Sequence, residues 1–277
     1  MIKIYNEDCI KTMNNTLREH SVDAVITSPP YNNSRTNHTE WCMKTANCRY
    51  EEYYDNKTNE EYCDWICEVF HGYNRILKEN GVVLFNISYG SGNPDVMFEC
   101  LHSIITRTPF MCADIISWKK KSAFPIVVSM NKLTRICEYV FVFCRRNEYH
   151  TFKSNKEVVF VNERTQQPFY SVLYNFIEAD NNDFSNDLNK ATFSTEFVIK
   201  LIDMYIKDRT EDSVVYDSFM GTGTTAVACK MVGISCYGSE ISKNQCDYAE
   251  NRLKFNNSNK FVSQNGQSKY EKFDWGI

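Results

Sequence analysis

The sequence predicts an α/β fold on a mostly parallel sheet, because short apolar, β-rich runs recur along it and helical patterns lie between many of them. The first run is IKIY at residues 2–5. The second, VDAVITS, carries Ala24, Val25 and Ile26 just before Pro29 and Pro30. Proline has no N–H for a sheet ladder, so this strand ends near Ser28 and passes into a rigid, extended turn. Consecutive prolines also leave their carbonyls open to a partner outside the chain. NEEYCDWICEVFHGYNRILKENG has a cap at Asn59, apolar residues at helical spacing and a stop at Gly81. GVVLFNIS, ADIISW and EYVFVFC follow as strands; TEFVIKLIDMYIKD and TTAVACKMVG read as helices, around the strand SVVYDSF and before the strand ISCYGSE.

A chain of 277 residues with 43% hydrophobic content builds one large core, or one domain with a sizeable insertion. Residues 147–189 break the strand–helix rhythm with aromatics, bases and Asn-rich turns and are expected to be that insertion, dividing a domain of residues 1–146 and 190–254. Residues 255–277 form a polar tail, and the loop from Asn32 to Asn59 is long, polar and aromatic. No run approaches a membrane span, and MIKIYNEDC has acids where a signal peptide is apolar, so a cytoplasmic protein with no membrane partner is expected. The twelve cysteines are scattered, which fits free thiols. Cys42, Cys48, Cys63 and Cys67 cluster but lack a C-x-x-C knuckle, so no metal is expected.

Net charge is −4, yet unevenly spread. Between Ser117 and Arg146 stand seven bases, Lys119, Lys120, Lys121, Lys132, Arg135, Arg145 and Arg146, against the single acid Glu138, a net +6; the rest of the chain has 24 bases and 34 acids, a net −10. One basic stretch on an acidic protein reads either as solvated surface or as a footprint for phosphates.

Late in the chain, VVYDSFMGTGTTAVACKMVGISCYGSEIS gives a strand, a glycine turn, a helix, a strand and an acid. Gly221 and Gly223 permit a sharp bend and a close ligand approach, the helix starting near Thr224 points free N–H groups at an anion, and Glu240 ends the next strand where a ribose diol is held. Gly221, Gly223 and Ala226 also satisfy G-x-G-x-x-[GA], the fingerprint of an NAD-dependent oxidoreductase. That fold opens with this unit and then needs several more strands; here the unit comes last.

Glycine turn last and strand-Ser-Pro-Pro-Tyr first resembles the amino-methyltransferases of DNA in their permuted β-class order. The resemblance runs through EDC, TSPPY, ILKENGVVLFNIS, WKKKSAFP, NKLTRICEYVFVF, ATFSTEF, DSFMGTGTT and GSEISKNQCDYAENRL. It implies a circularly permuted, Rossmann-like, seven-stranded methyltransferase sheet with an inserted target-recognition region, and S-adenosyl-L-methionine as cofactor. Ser28 and the Pro29 carbonyl are then the acceptors for the hydrogens of a base amine; Pro30 keeps the turn rigid, and Tyr31 offers a face to an extruded base. Asp8 resembles the acid that accepts from the cofactor's adenine amine, with the Cys9 backbone beside it; its other reading is a helix cap. Phe219 resembles the aromatic on adenine, Glu240 the ribose acid, and Asp217, Gly221, Gly223 and Thr224 the cofactor turn. Thr192, Phe193, Ser194 and Thr195 occupy the segment that closes on the methionine moiety, where family members often carry prolines; Ser218 likewise replaces the proline of D-P-F.

The implied function is site-specific methylation of double-stranded DNA at the N4 of cytosine, since serine before Pro-Pro-Tyr is commoner in such enzymes; the N6 of adenine is the alternative. A catalytically silent DNA-binding module is a rival that leaves the glycine turn unexplained. The seven bases of 117–146 are expected to hold phosphates, and residues 147–189 and the 32–59 loop to contact bases. The resemblance also admits a homodimer and a restriction endonuclease partner.

Overall fold

The computed structural model describes residues 1–32, 57–90, 92–123, 125–127, 130–183, 192–206, 209–210 and 212–255. The tail from 256 and loop residues 33–56, to which base contacts were assigned, lie outside the described residues, as do Cys42 and Cys48.

Among the described residues there are ten strands: β1 (Ile2–Tyr5), β2 (Val22–Thr27), β3 (Leu77–Ile87), β4 (Phe110–Lys120), β5 (Cys137–Arg145), β6 (Val158–Val161), β7 (Pro168–Tyr170), β8 (Phe176–Ala179), β9 (Val214–Asp217) and β10 (Ser235–Ser239). The helices are α1 (Cys9–Asn15), α2 (Asn59–Ile76), α3 (Val96–Arg107), α4 (Thr195–Tyr205), α5 (Thr224–Met231) and α6 (Lys243–Phe255). Eight strands form one sheet in the order β1-β10-β9-β2-β3-β5-β4-β8, while β6 and β7 pair as a separate ribbon. All seven strands read from the sequence are in the sheet, and β8, from the 147–189 segment, extends it by pairing parallel to β4. Only the β3–β5 and β4–β5 pairs are antiparallel within it.

Strand alternation sorts the core to two faces. Val25, Val83, Phe85, Phe143 and Tyr216 pack with apolar residues of α1, α2 and α3, whereas Ala24, Ile26, Leu84, Val142 and Val215 pack with those of α4 and α5. Helices therefore cover both faces, as a parallel sheet requires. No described helix is long and apolar enough to cross a membrane.

The boundaries of α2 differ from the sequence pattern. Its cap is Thr58, not Asn59, closed as a capping box with Glu61. It ends at Ile76, before Gly81, and Leu77 already opens β3. The buried guanidinium of Arg145 donates to the carbonyls of Asn74 (2.8 Å), Leu77 (2.7 Å) and Lys78 (2.9 Å), and pairs with Glu148 at 3.0 Å. It thereby satisfies one carbonyl of the last helical turn and two at the start of β3, while the carbonyls of Arg75 and Ile76 accept from the N–H groups of His20 (3.2 Å) and Ser21 (2.8 Å).

Candidate active site

Strands β9 and β2 lie side by side and parallel, but their outgoing connections part: β9 leads through α5 to β10, and β2 through α2 to β3, on opposite faces of the sheet. Ligands of open α/β sheets bind in the crevice at such a switch point. Here a cleft of about 700 Å³ opens at the strands' carboxyl ends, lined from both halves of the chain, so residues 28 and 221 come together as expected.

Asp217 and Thr27 stitch the two strand ends beneath the cleft. Asp217 Oδ1 accepts from Thr27 Oγ1 (2.8 Å) and the Phe219 N–H (3.0 Å), and its Oδ2 accepts from Thr225 Oγ1 (2.6 Å). Burial pushes its pKa up to about 6 against these donors. It does not line the cleft, so its assignment as a cofactor ligand is corrected: both oxygens are spent inside the protein.

The two glycines divide the work of the turn. Gly221 adopts φ +52°, lines the cleft and donates its N–H to Glu240 Oε2 at 2.8 Å. Glu240 Oε1 accepts from the Ser242 N–H at 2.8 Å, and desolvation holds this carboxyl above its ordinary pKa. Each Glu240 oxygen keeps a further lone pair for a ligand. Gly223, at φ +84°, does not line the cleft; a Cβ there would meet Ala249 Cβ at 2.6 Å. Its assignment to cofactor contact is corrected to the close packing of the turn against α6. Between them Thr222 lines the cleft with a buried Oγ1 that has no partner among the described residues.

Asp8, Cys9, Phe219 and Thr224 line the same side. Asp8 is the cap of α1, its Oδ1 accepting from Ile10 N (2.8 Å) and Lys11 N (3.3 Å); Oδ2 has no hydrogen bond among the described residues. Cap and ligand are thus compatible roles for its two oxygens. Cys9 is buried, and burial raises its thiol pKa, leaving the backbone as its polar contribution. Thr224 Oγ1 accepts from Arg252 at 3.1 Å. Of the segment assigned to the methionine moiety, Thr192 and Phe193 line the cleft, while Ser194 and Thr195 do not. Ser194 accepts from Phe197 N (3.3 Å) as the cap of α4, and Thr195 Oγ1 donates to Asp183 at 2.9 Å. Both start a helix instead.

Across the cleft stand Ser28, Pro29, Pro30 and Tyr31. Ser28 Oγ is 3.0 Å from the Tyr31 hydroxyl, itself 3.2 Å from Asn86 Oδ1 and 3.5 Å from Glu138 Oε2. No described donor reaches the Pro29 carbonyl, whereas Pro30 accepts from the Tyr62 hydroxyl at 2.9 Å. Among the described residues only one of the two proline carbonyls is therefore open.

The basic stretch divides. Lys119 pairs with Glu178 at 2.9 Å, Lys121 with Glu196 at 3.0 Å, and Lys120, inside the cleft, with Glu138. Lys132 is exposed, and Arg135 meets Tyr89 beyond the end of β3 at 5.2 Å. Arg145 is buried and Arg146 donates to the carbonyls of Ile105 (2.9 Å) and Phe110 (3.2 Å) at the opposite end of the sheet. The phosphate assignment of Arg145 and Arg146 is corrected on that ground.

Several lining residues escaped the sequence reading, among them Trp65, Asn86, Trp118 and Thr222. Trp65 lies 5.4 Å from Phe219, ring centre to ring centre, extending the aromatic wall. Nothing along the chain links these two. Glu138 did carry a signal, as the lone acid of the basic stretch.

The sequence profile of the N6/N4 methyltransferase family, described as DNA methylase, matches residues 22–251. The orphan methyltransferase M.BamHII of Bacillus amyloliquefaciens is 25% identical over 271 residues, covering 87% of this chain and 92% of that protein. The structure of PvuII DNA methyltransferase (cytosine-N4-specific) superposes with a TM-score of 0.67 at 20% identity, over 91% of this chain and 86% of that one. That of the M1.HpyAVI–SAM complex gives 0.56 at 20% identity, over 91% and 100%. The nicotinamide reading of Gly221, Gly223 and Ala226 is overturned by the profile, which runs through that turn. With the match extending from β2 to α6 across both walls of the cleft, the chain belongs to the N6/N4 DNA methylase family.

Proposed function

We propose that the protein methylates the exocyclic N4 of cytosine at specific sites in double-stranded DNA, with the base extruded into the cleft. The reaction class is that of its family: methyl transfer from S-adenosylmethionine to a base amine. Action on a base amine rests on one observation, the Ser28 hydroxyl beside the Pro29 carbonyl at the end of β2, facing the glycine turn across one cleft. Both amines fit these acceptors, and cytosine is chosen over adenine on the serine before Pro-Pro-Tyr, the commoner form in enzymes that the resemblance assigns to N4.

The residues present fit the cofactor. Thr222 Oγ1 is a buried polar atom in want of a partner, and the carboxyls of Asp8 and Glu240 retain acceptor capacity within the same cleft. In this reading Glu240 takes the ribose hydroxyls, Asp8 the adenine amine, and Phe219 with Trp65 the adenine faces. When bound, the sulfonium supplies a methyl group already activated for transfer.

The remaining work falls to this chain. A base amine is a weak nucleophile because its lone pair is delocalised into the ring. Acceptors on its two hydrogens favour a pyramidal nitrogen and return density to it. Ser28 Oγ and the Pro29 carbonyl are two such acceptors; the second proline fixes the carbonyl and the Tyr31 hydroxyl, 3.0 Å away, holds the serine, so little reorganisation is needed. We assign the reading of sequence to residues 147–189, from which Asn181 and Asn182 reach the cleft.

Mass spectrometry of nucleosides from DNA treated with the enzyme tests the reading. N4-methylcytosine is expected, and N6-methyladenine alone would overturn the base. Ser28→Ala is expected to lower turnover by about 10²-fold with cofactor affinity unchanged, because the lost acceptor acts on the reacting amine.

A further inference from the structure

Lys120 belongs to the cleft rather than to the outer surface. It shares a face of β4 with Trp118, whose ring stacks on Phe197 at 4.2 Å, and its ammonium lies 5.2 Å over that ring. Glu138, from the neighbouring strand β5, pairs with it; the two side chains are only 22% and 19% exposed. Glu138 Oε2 is in turn 3.5 Å from the Tyr31 hydroxyl, which is 3.0 Å from Ser28 Oγ. The ammonium and the Ser28 hydroxyl are thus the two ends of one chain of polar contacts, and both line the cleft.

An ammonium has three N–H donors, and Glu138 is the one hydrogen-bond acceptor that the described residues offer this one. A largely buried pair costs desolvation that a single contact repays poorly, so a further acceptor is called for. Extruded bases supply one. Beside the amine, cytosine and adenine each carry a ring nitrogen with a lone pair, N3 and N1, whereas thymine and guanine present N–H there.

We propose that Lys120, held by Glu138 over Trp118, donates to the ring nitrogen next to the target amine, while Ser28 and Pro29 take the amine's hydrogens. The proposal rests on the cleft being the base-binding site of a methyltransferase. It makes Lys120 a specificity residue that admits a base with a bare ring nitrogen at the centre of its Watson–Crick edge and rejects an N–H at that place. Glu138 has a definite part: it offsets the ammonium's charge, so no net positive charge stands beside a nitrogen that becomes cationic as the methyl arrives.

The test is a double-mutant cycle between protein and base. Random-sequence duplexes are made with cytosine or 3-deazacytosine, and with adenine or 1-deazaadenine, each analogue replacing the ring nitrogen by C–H. Methyl transfer is measured for wild type and Lys120→Met. Wild type is expected to lose about tenfold or more on the analogue of its target base, and Lys120→Met to be slow on the natural base yet lose under about threefold further. An analogue penalty equal in both proteins overturns the proposal. Unchanged melting and S-adenosylmethionine affinity certify the variant; should methionine unfold the cleft, Lys120→Gln, too short to span the same gap, carries the same comparison. A penalty confined to the adenine pair would remove the cytosine reading and leave the role of Lys120 standing.

Discussion

Asp217 gives the fold a distinct response to pH. Its carboxyl titrates at about 6 in the folded protein because burial disfavours the charge, whereas an unfolded aspartate titrates near 3.9. The folded state therefore holds the proton more tightly. The stability this contributes is fully present below about pH 4 and is lost as pH rises through about 6, a change of about 3 kcal/mol. Glu240, also raised, acts in the same direction. Asp217→Asn keeps the shape and removes the larger titration, so its melting temperature relative to wild type is expected to climb between pH 4 and 6. A difference that stays flat over that range would show that Asp217 is already ionised at no cost. The same residue shows where sequence stops being legible. An acid at a strand end and a serine before a helix are compatible with ligand or scaffold roles, and what decides is where the other atoms point. For Asp217 and Ser194 they point inward, to Thr27, Thr225 and the start of α4; for Asp8 and Glu240 spare acceptor capacity is left in the cleft.

The elements were legible wherever periodicity carried the signal. Strands β1 to β5, β9 and β10 and helices α2, α4 and α5 are apolar at period two or at helical spacing, and each falls where the pattern put it. Ends were not, because distant residues meet them: the last carbonyls of α2 accept from Arg145, His20 and Ser21. The glycine turn shows the same limit. Both glycines satisfy one motif, but Gly221 touches the cleft whereas Gly223 lets α5 and α6 approach. Gly223→Ala is expected to destabilise by about 2–4 kcal/mol, from the left-handed backbone and from the methyl meeting Ala249. The two sources separate in a double variant. Adding Ala249→Gly removes the clash but not the strain, so the pair should be more stable than the sum of the single effects by about 1–2 kcal/mol in denaturant midpoints. Strict additivity would leave the contact without weight.

Charge is a property of the whole molecule, and here folding rearranges what the chain suggested. The +6 between Ser117 and Arg146 is contiguous in sequence, yet β5 runs antiparallel to β3 and carries its two ends to opposite sides of the sheet. Tyr139 sits opposite Ile87 at the cleft end, while Arg145 sits opposite Phe110 at the other. The nine residues of β5 place these ends roughly 26 Å apart, far beyond a Debye length of about 8 Å in physiological salt. A duplex presenting a base to the cleft therefore gains nothing from Arg145 or Arg146. Lys119 and Lys121 stand nearer, but acids from β8 and α4 offset them. The loop between β4 and β5 also lies at the cleft end and carries Arg135 and the exposed Lys132. Each phosphate contact releases counterions and adds about 0.9 to the slope of log affinity against log salt. Binding of a random-sequence duplex across a salt series should thus lose close to one unit of slope for each of Lys132→Gln and Arg135→Gln. Arg146→Gln should leave the slope where it is. A slope that flattens in Arg146→Gln and holds in the other two would mean that DNA approaches the far end of the sheet, and would separate the binding surface from the cleft.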